Sequence, residues 1–193
     1  LTPPTVGVLG LQGGVAEHVR LLESLGAGTR LVKRPEDLTG LDALVLPGGE
    51  SSTIDRLTRL FGLREPLLEA IGSGLPVLGT CAGLILLAAE IEDPAPGQRS
   101  LGVLDVAVAR NAFGSQVASA EATLAWGGEE ADAVRAAFIR APAVTRVGHG
   151  VEVLARHEER VVAVRSGSTL GISFHPELTG EPSVHAELLG MVG

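Results

Sequence analysis

The first half of the chain sets the tightest constraint on the fold. Short apolar runs alternate there with helical patterns, and the runs end on small residues. Thr5–Leu9 (T-V-G-V-L), Thr29–Val32, Ala43–Leu46 (A-L-V-L) and Pro76–Leu78 read as short buried strands. Between them, Val15–Leu25 carries Val15, Val19, Leu22 and Leu25 near helical spacing and is stopped by Gly26. Ser52–Leu60, Leu63–Ile71 and Leu84–Glu90 also read as helices. Strands that alternate with helices at this spacing predict a parallel sheet with helices on both faces. In such open sheets, ligands sit outside the carboxyl ends of the strands. The turns Gly10–Gly14, Pro47–Ser52 and Gly79–Gly83 are therefore expected on one rim.

After Pro94 the texture changes. Leu101–Ala109, Gln116–Leu124, Ala136–Arg140, Val151–Ala155, Val161–Arg165 and Leu170–Phe174 read as strands, with little helix between them. Glu181–Met191 reads as a final helix, and Asp93–Arg99 as a loop rather than a linker. The expected architecture is α/β, a three-layer α/β/α arrangement around a flavodoxin-like, mostly parallel sheet with a β-rich second half. Residues 1–193 are expected to form one domain, long enough to bury a core without disulfides or metals.

Composition narrows the function classes. The net charge of −8 argues against a nucleic-acid partner, because phosphate binding needs a basic surface. It also argues against an anionic membrane, and the longest apolar run, Gly83–Ala89, is far too short to span a bilayer. The start, L-T-P-P-T-V-G-V, has no basic segment of a secretory signal. A single cysteine, Cys81, cannot form an internal disulfide, so a reducing, cytoplasmic setting is expected. His18, His149, His157 and His185 show no metal-ligand spacing, so neither metal nor cofactor is expected.

Three stretches carry the chemistry. In G-T-C-A-G (Gly79–Gly83), Cys81 follows a strand and precedes a helix. The small residues around it suit a sharp strand–turn–helix elbow. A helix N-terminus favours the thiolate, and the N–H of Ala82 can face a developing oxyanion. Locally the alternative stands level, because free cysteine is also among the most buried residue types. In F-H-P-E (Phe174–Glu177), His175 and Glu177 share a face if the segment is extended, so the carboxylate can orient the imidazole. By itself a His beside a Glu on the surface is equally compatible with H-x-E. In L-P-G-G-E-S-S-T (Leu46–Thr53), Gly48 and Gly49 allow close backbone approach, while Glu50, Ser51 and Ser52 offer polar groups or an ordinary helix cap. Arg110 and Arg140 each follow an apolar run. Either is a solvated surface residue or an anion clamp. Trp126 is expected in a loop.

Taken together, V-G-V-L-G-L-Q-G (Val6–Gly13), L-P-G-G-E-S-S-T, G-T-C-A-G-L-I-L-L (Gly79–Leu87), R-N-A-F-G (Arg110–Gly114), F-I-R-A-P (Phe138–Pro142) and S-F-H-P-E-L-T (Ser173–Thr179) resemble, end to end, the glutaminase subunits of pyridoxal 5′-phosphate synthase. These are small stand-alone members of the triad (class I) glutamine amidotransferases. G-x-C-x-G and H-P-E are shared across that class; the other motifs are narrower. The resemblance implies Cys81 as nucleophile on the side-chain amide of L-glutamine, His175 as acid–base and Glu177 as its orienter. It implies Gly49 and Ala82 as the oxyanion hole. Gly49, Glu50, Ser51, Arg110, Ile139 and Arg140 match positions that hold glutamine. The implied partner is the synthase subunit, which receives ammonia. The interface is expected on the rim with Gly10–Gly14, Gln12 included.

One departure is visible. The family pattern usually continues R-N-x-F-G-R-Q, and Ser115 stands where the second Arg is expected. Three rivals compete with this reading: a class I glutaminase feeding another pathway, a different cysteine hydrolase on a similar sheet, and a catalytically weak binding subunit. The narrow motifs oppose the first, the H-P-E after the last strand the second, and the intact Cys81, His175 and Glu177 the third.

Overall fold

Val6, Val8, Ala43–Leu46, Val77 and Leu78 are almost wholly removed from solvent, as strands covered on both faces must be. The computed structural model describes residues 2–113, 120–127 and 132–193. Parallel strands β1 (Thr5–Leu9), β2 (Gly28–Val32), β3 (Ala43–Leu46) and β4 (Val77–Thr80) alternate with helices α1 (Val15–Ser24), α2 (Ser51–Leu60) and α3 (Arg64–Gly72). Helix α4 (Ala82–Leu87) follows β4, and then come β5 (Ala88–Ile91) and β6 (Leu104–Ala109). The second half adds β7 (Ala120–Trp126), β8 (Asp132–Phe138), β9 (Ala143–Val147), β10 (Glu152–His157), β11 (Arg160–Ser166) and β12 (Thr169–Ile172). It closes with α5 (Pro176–Thr179) and α6 (Ser183–Gly190).

The large sheet has ten strands in the order β2-β1-β3-β4-β12-β11-β9-β6-β5, with β10 on β11. Strand β12 runs parallel to β4, whereas β11 is antiparallel to β12, β9 and β10. β7 and β8 form a separate hairpin. Side chains alternate across the sheet, so Leu44 and Leu46 pack with Ile54, Leu67 and Leu84 on one face. Ala43 and Val45 pack with Leu22, Val184 and Leu188 on the other. Three layers result, as expected.

Register aligns the strand ends. Leu46 lies opposite Gly79, and Thr80 opposite Ile172. The segments that follow β3, β4 and β12 therefore emerge side by side: Gly48–Gly49, Cys81 and His175. The glycines of G-T-C-A-G have a packing reason. A Cβ on Gly79 would meet the Gly83 carbonyl, and one on Gly83 would overlap the Leu46 carbonyl. Helix α4 thus lies directly against the backbone of β3.

Several expected elements shift. Leu84–Glu90 is not one helix: α4 ends at Leu87, and Ala88–Ile91 pairs with β6. A short apolar run does not distinguish helix from strand by periodicity. β9 was not expected, and Trp126 lies in β7 rather than a loop. Its indole Nε1 donates to Glu187 Oε2 at 2.8 Å, and its ring meets Phe174 edge-on. The helix expected over Glu181–Met191 is present as α6 (Ser183–Gly190), and a short helix that was not expected, α5, precedes it with a left-handed Gly180 between them. Ser115 and Gln116–Ser119 lie outside the described residues. No helix among the described residues is long and apolar enough to cross a membrane.

Candidate active site

Cys81 caps β4 with φ 52° and ψ −103°. A β-carbon disfavours this region, and a residue held there costs about 1–3 kcal/mol. The surroundings impose the conformation: the Cys81 N–H donates to Ile172 O at 2.8 Å, while the Cys81 carbonyl accepts from Ile85 N at 3.3 Å. Cys81 is only 7% exposed. The backbone N–H of Ala82 opens α4, where first-turn N–H groups have no partner within the helix. This is the elbow geometry that the local pattern suggested.

His175 reaches the thiol from β12's end. Its backbone N–H donates to Ala137 O at 2.9 Å, and its Nδ1 lies 2.7 Å from Glu177 Oε1. The remaining ring nitrogen, Nε2, is left for Cys81. The pair meets as expected, but not on an extended strand. His175 is the N-cap of α5, with Pro176 at its first position and Glu177 in its first turn. Burial pulls the His175 pKa down, but hydrogen bonds with Cys81 and Glu177, and the charges on both, outweigh it and push it up to about 10. The imidazolium form is thereby favoured at neutral pH.

Two adjoining cavities flank Cys81. One, of about 440 Å³, is lined by Gly13, Gly14, Glu17, Gly48, Gly49, Cys81, Ile139, Arg140, His175, Glu177 and Leu178. The other, of about 400 Å³, is lined by Gly49, Glu50, Ser51, Cys81, Ala82, Ile85, Arg110, Asn111 and Arg140. Every expected site residue therefore borders one or both. A further cavity beside β7 and β8, lined by Glu121, Thr123, Arg135 and Thr179 among others, does not touch the triad.

The Gly48 carbonyl accepts from Gly14 N at 3.1 Å, so across the trans peptide the Gly49 N–H points away from Gly14. A Cβ on Gly48 would come within 2.5 Å of the His175 ring, which explains the Gly there. Gln12 Oε1 accepts from Glu50 N at 2.8 Å and so ties the first turn to this loop. The Glu50 carboxylate turns back onto α2 and accepts from Ser52 N (3.2 Å), Thr53 N (2.7 Å) and Ser52 Oγ (2.6 Å). Burial, the largest single influence, raises its pKa, but these hydrogen bonds together outweigh it and hold it down at about 2. Arg140 is exposed at φ 45°, again left-handed, and the Ile139 carbonyl lies 4.0 Å from Cys81 Sγ.

Sequence reasoning missed Gln98. Its Nε2 donates to Ser51 Oγ at 2.9 Å, and its Oε1 accepts from Arg110 at 3.2 Å and from Ala95 N at 3.0 Å. It links two glutamine-contact candidates from within a loop that looked featureless. Arg110 Nε also donates to Asp93 O at 2.7 Å. No pattern in the sequence announces such a link. Among the described residues, no three or more His, Cys, Asp or Glu side chains are gathered as metal ligands.

Fold and site together define the α/β class whose cysteine sits on a strand–turn–helix elbow facing a His–Glu pair from a neighbouring strand. Comparison then narrows the class. The model of the SNO glutamine amidotransferase family matches residues 8–190, and the chain belongs to that family. It is 55% identical over 196 residues to the pyridoxal 5'-phosphate synthase subunit PdxT of Cutibacterium acnes, covering 98% of this chain and 97% of the relative. It is 57% identical to the protein of the same name from Clavibacter sepedonicus, covering 98% and 91%. A crystal structure of a glutamine amidotransferase superposes with a TM-score of 0.91 at 47% identity, covering 97% of this chain and 98% of that one.

Proposed function

We propose that residues 1–193 act as one glutaminase domain that hydrolyses L-glutamine to L-glutamate and ammonia. The ammonia passes to the synthase subunit of pyridoxal 5′-phosphate synthase. The observation that carries this reading is Cys81, held at positive φ where the ends of β3, β4 and β12 meet, with His175 and Glu177 against it. The near-full-length relatives support the pathway.

The Cys81 thiolate attacks the side-chain amide carbon. Charge develops on the carbonyl oxygen, and the N–H groups of Gly49 and Ala82 receive it. The His175 imidazolium donates its proton to the departing nitrogen, ammonia leaves and a γ-glutamyl thioester remains. Water then attacks the thioester, His175 takes its proton, and glutamate leaves as the Cys81 sulphur is regenerated. Glu177 keeps the His175 Nδ1 proton in place throughout. Arg140 and Arg110 suit the α-carboxylate, and Glu50 and Ser51 the α-ammonium side. This chemistry calls for no cofactor, and a working thiolate fits the reducing cytoplasm.

The synthase subunit docks on the rim that carries Gly10–Gly14. Exposed Leu178 and Ile139 stand at the mouth of the Cys81 cavity, where a partner can cover them. The test is glutamate release with and without the synthase subunit. Wild type is expected to be stimulated and Cys81→Ala to be silent in both. Activity surviving in Cys81→Ala overturns the mechanism, and a glutamine-driven complex that makes no pyridoxal phosphate overturns the pathway.

A further inference from the structure

Behind the triad lies a second pair of titratable side chains that the reaction above does not use. His18 of α1 and His185 of α6 are both fully buried. His18 Nδ1 lies 2.8 Å from His185 Nε2, and the rings lean on each other at 5.0 Å between centroids. The other nitrogen of His18, Nε2, is 3.2 Å from Thr80 Oγ1 and 3.6 Å from Glu177 Oε1. Thr80 immediately precedes the nucleophile. Glu177 Oε1 is the same oxygen that holds His175. A row of groups therefore runs from α6 through α1 to the triad carboxylate.

Proton accounting singles out one arrangement of that row. Burial disfavours charge on either ring, and for His18 the neighbouring His185 and His175 add to this. Two neutral rings in contact have one proton between the facing nitrogens. If His18 Nδ1 carried it, His18 Nε2 would turn a bare lone pair towards a buried carboxylate. His185 Nδ1, which has no partner among the described residues, would then be an orphaned buried N–H. Orphaned N–H groups are the rarer and costlier kind. If His185 Nε2 carries it instead, His185 Nδ1 is only a bare lone pair. His18 then presents an N–H at Nε2, which donates to Thr80 Oγ1 and faces Glu177. The second arrangement places the positive end of a dipole at a carboxylate whose Oε2 also lacks a protein partner among the described residues.

We propose that His18 is a positioning residue for the triad: its Nε2–H, directed by His185, holds the Glu177 carboxylate aligned on His175. The inference rests on the triad assignment made above. His18 touches neither substrate nor the reacting atoms, so its effect is expected on turnover rather than on glutamine binding.

The test uses the complex with the synthase subunit. His18→Leu removes the donor, and His18→Gln restores an N–H near the place of Nε2. His18→Leu is expected to lower kcat about tenfold or more with KM for glutamine unchanged within about twofold, and His18→Gln to recover most of the loss. An unchanged kcat in His18→Leu overturns the proposal. So does an equal loss in both variants with an equal fall in Tm, which marks a purely structural role. Should His18→Leu not fold, imidazole nitrogen NMR on the wild type at pH 7 decides. Protonated Nε2 on both His18 and His185 supports the proposal, and a bare His18 Nε2 overturns it. Cys81→Ala run alongside separates the two readings. If it keeps activity, the triad assignment fails; if it is silent while His18→Leu is normal, only the positioning role fails.

Discussion

The two sides of Cys81 are built by different rules. On the far side from solvent, His175, Glu177, His18 and His185 are buried and linked ring to carboxylate to ring. Glu177, His18 and His185 sit in α5, α1 and α6, and His175 caps α5. On the open side, Glu50, Arg110, Ile139 and Arg140 come from turns, are more exposed, and are held by loop groups such as Gln98, Asp93 and Gln12. The groups proposed to handle protons need one fixed geometry and low dielectric, which a core supplies. The groups proposed to bind glutamine must admit and release a polar amino acid, which a solvated rim allows. Removal of a buried group should therefore strike kcat, and removal of a rim group KM.

The sharpest break of that contrast is Cys81→Ala. It should lower glutaminase activity by at least about 10⁴-fold, as loss of a nucleophile does, without altering the fold seen by circular dichroism. Glu177→Gln is next. It should lower kcat about 10³- to 10⁴-fold with little change in KM, because the amide stabilises the wrong imidazole tautomer. Steady-state kinetics in the complex check both. Arg140→Ala tests the open side and should raise KM about 10- to 100-fold with kcat nearly kept, the worth of one charge-assisted hydrogen bond. A kcat loss of the same size would show that the two sides are not separable.

The pH dependence sharpens the buried side. His175 has its pKa raised to about 10, so its imidazolium is present below that pH and is lost as the pH rises through it. Activity should decline on an alkaline limb near pH 10, by roughly tenfold per unit. In Cys81→Ser the contribution of the sulphur is gone, and NMR titration should find His175 lower. The smallest effect belongs to the cap. Glu50→Ala removes the acceptor for Ser52 N and Thr53 N at the start of α2. It should cost about 1 kcal/mol and lower Tm by about 2–4 °C in a thermal melt.

The same contrast explains what could be read from residues alone. The parallel half was legible because its strands are continuous apolar runs bounded by glycine turns, and Thr5–Leu9 and Ala43–Leu46 stand where expected. Cys81 in G-T-C-A-G and His175 with Glu177 in H-P-E were legible as two separate motifs because each is local in the sequence. β9 was not, since Ala143–Val147 has neither clear alternation nor length. α5 was hidden by Pro176, which reads as the end of a strand but opens a helix turn. Gln98 and the His18–His185 pair were invisible for a different reason. Their partners lie on other elements, so their roles exist only once the chain has folded.

Strand β12 has one more consequence. It is near the C-terminal end of the sequence, yet it lies inside the sheet between β4 and β11. A ribosome makes β1 to β4 and the elbow long before it makes β12. Until Thr169–Ile172 slides in beside Val77–Thr80, the edge of β4 is unpaired, and Cys81 lacks both the carbonyl of Ile172 and the imidazole of His175. The act that completes the sheet is thus the act that brings His175 to Cys81. A nascent or truncated chain that has not reached β12 holds Cys81 without the strand that brings His175 beside it.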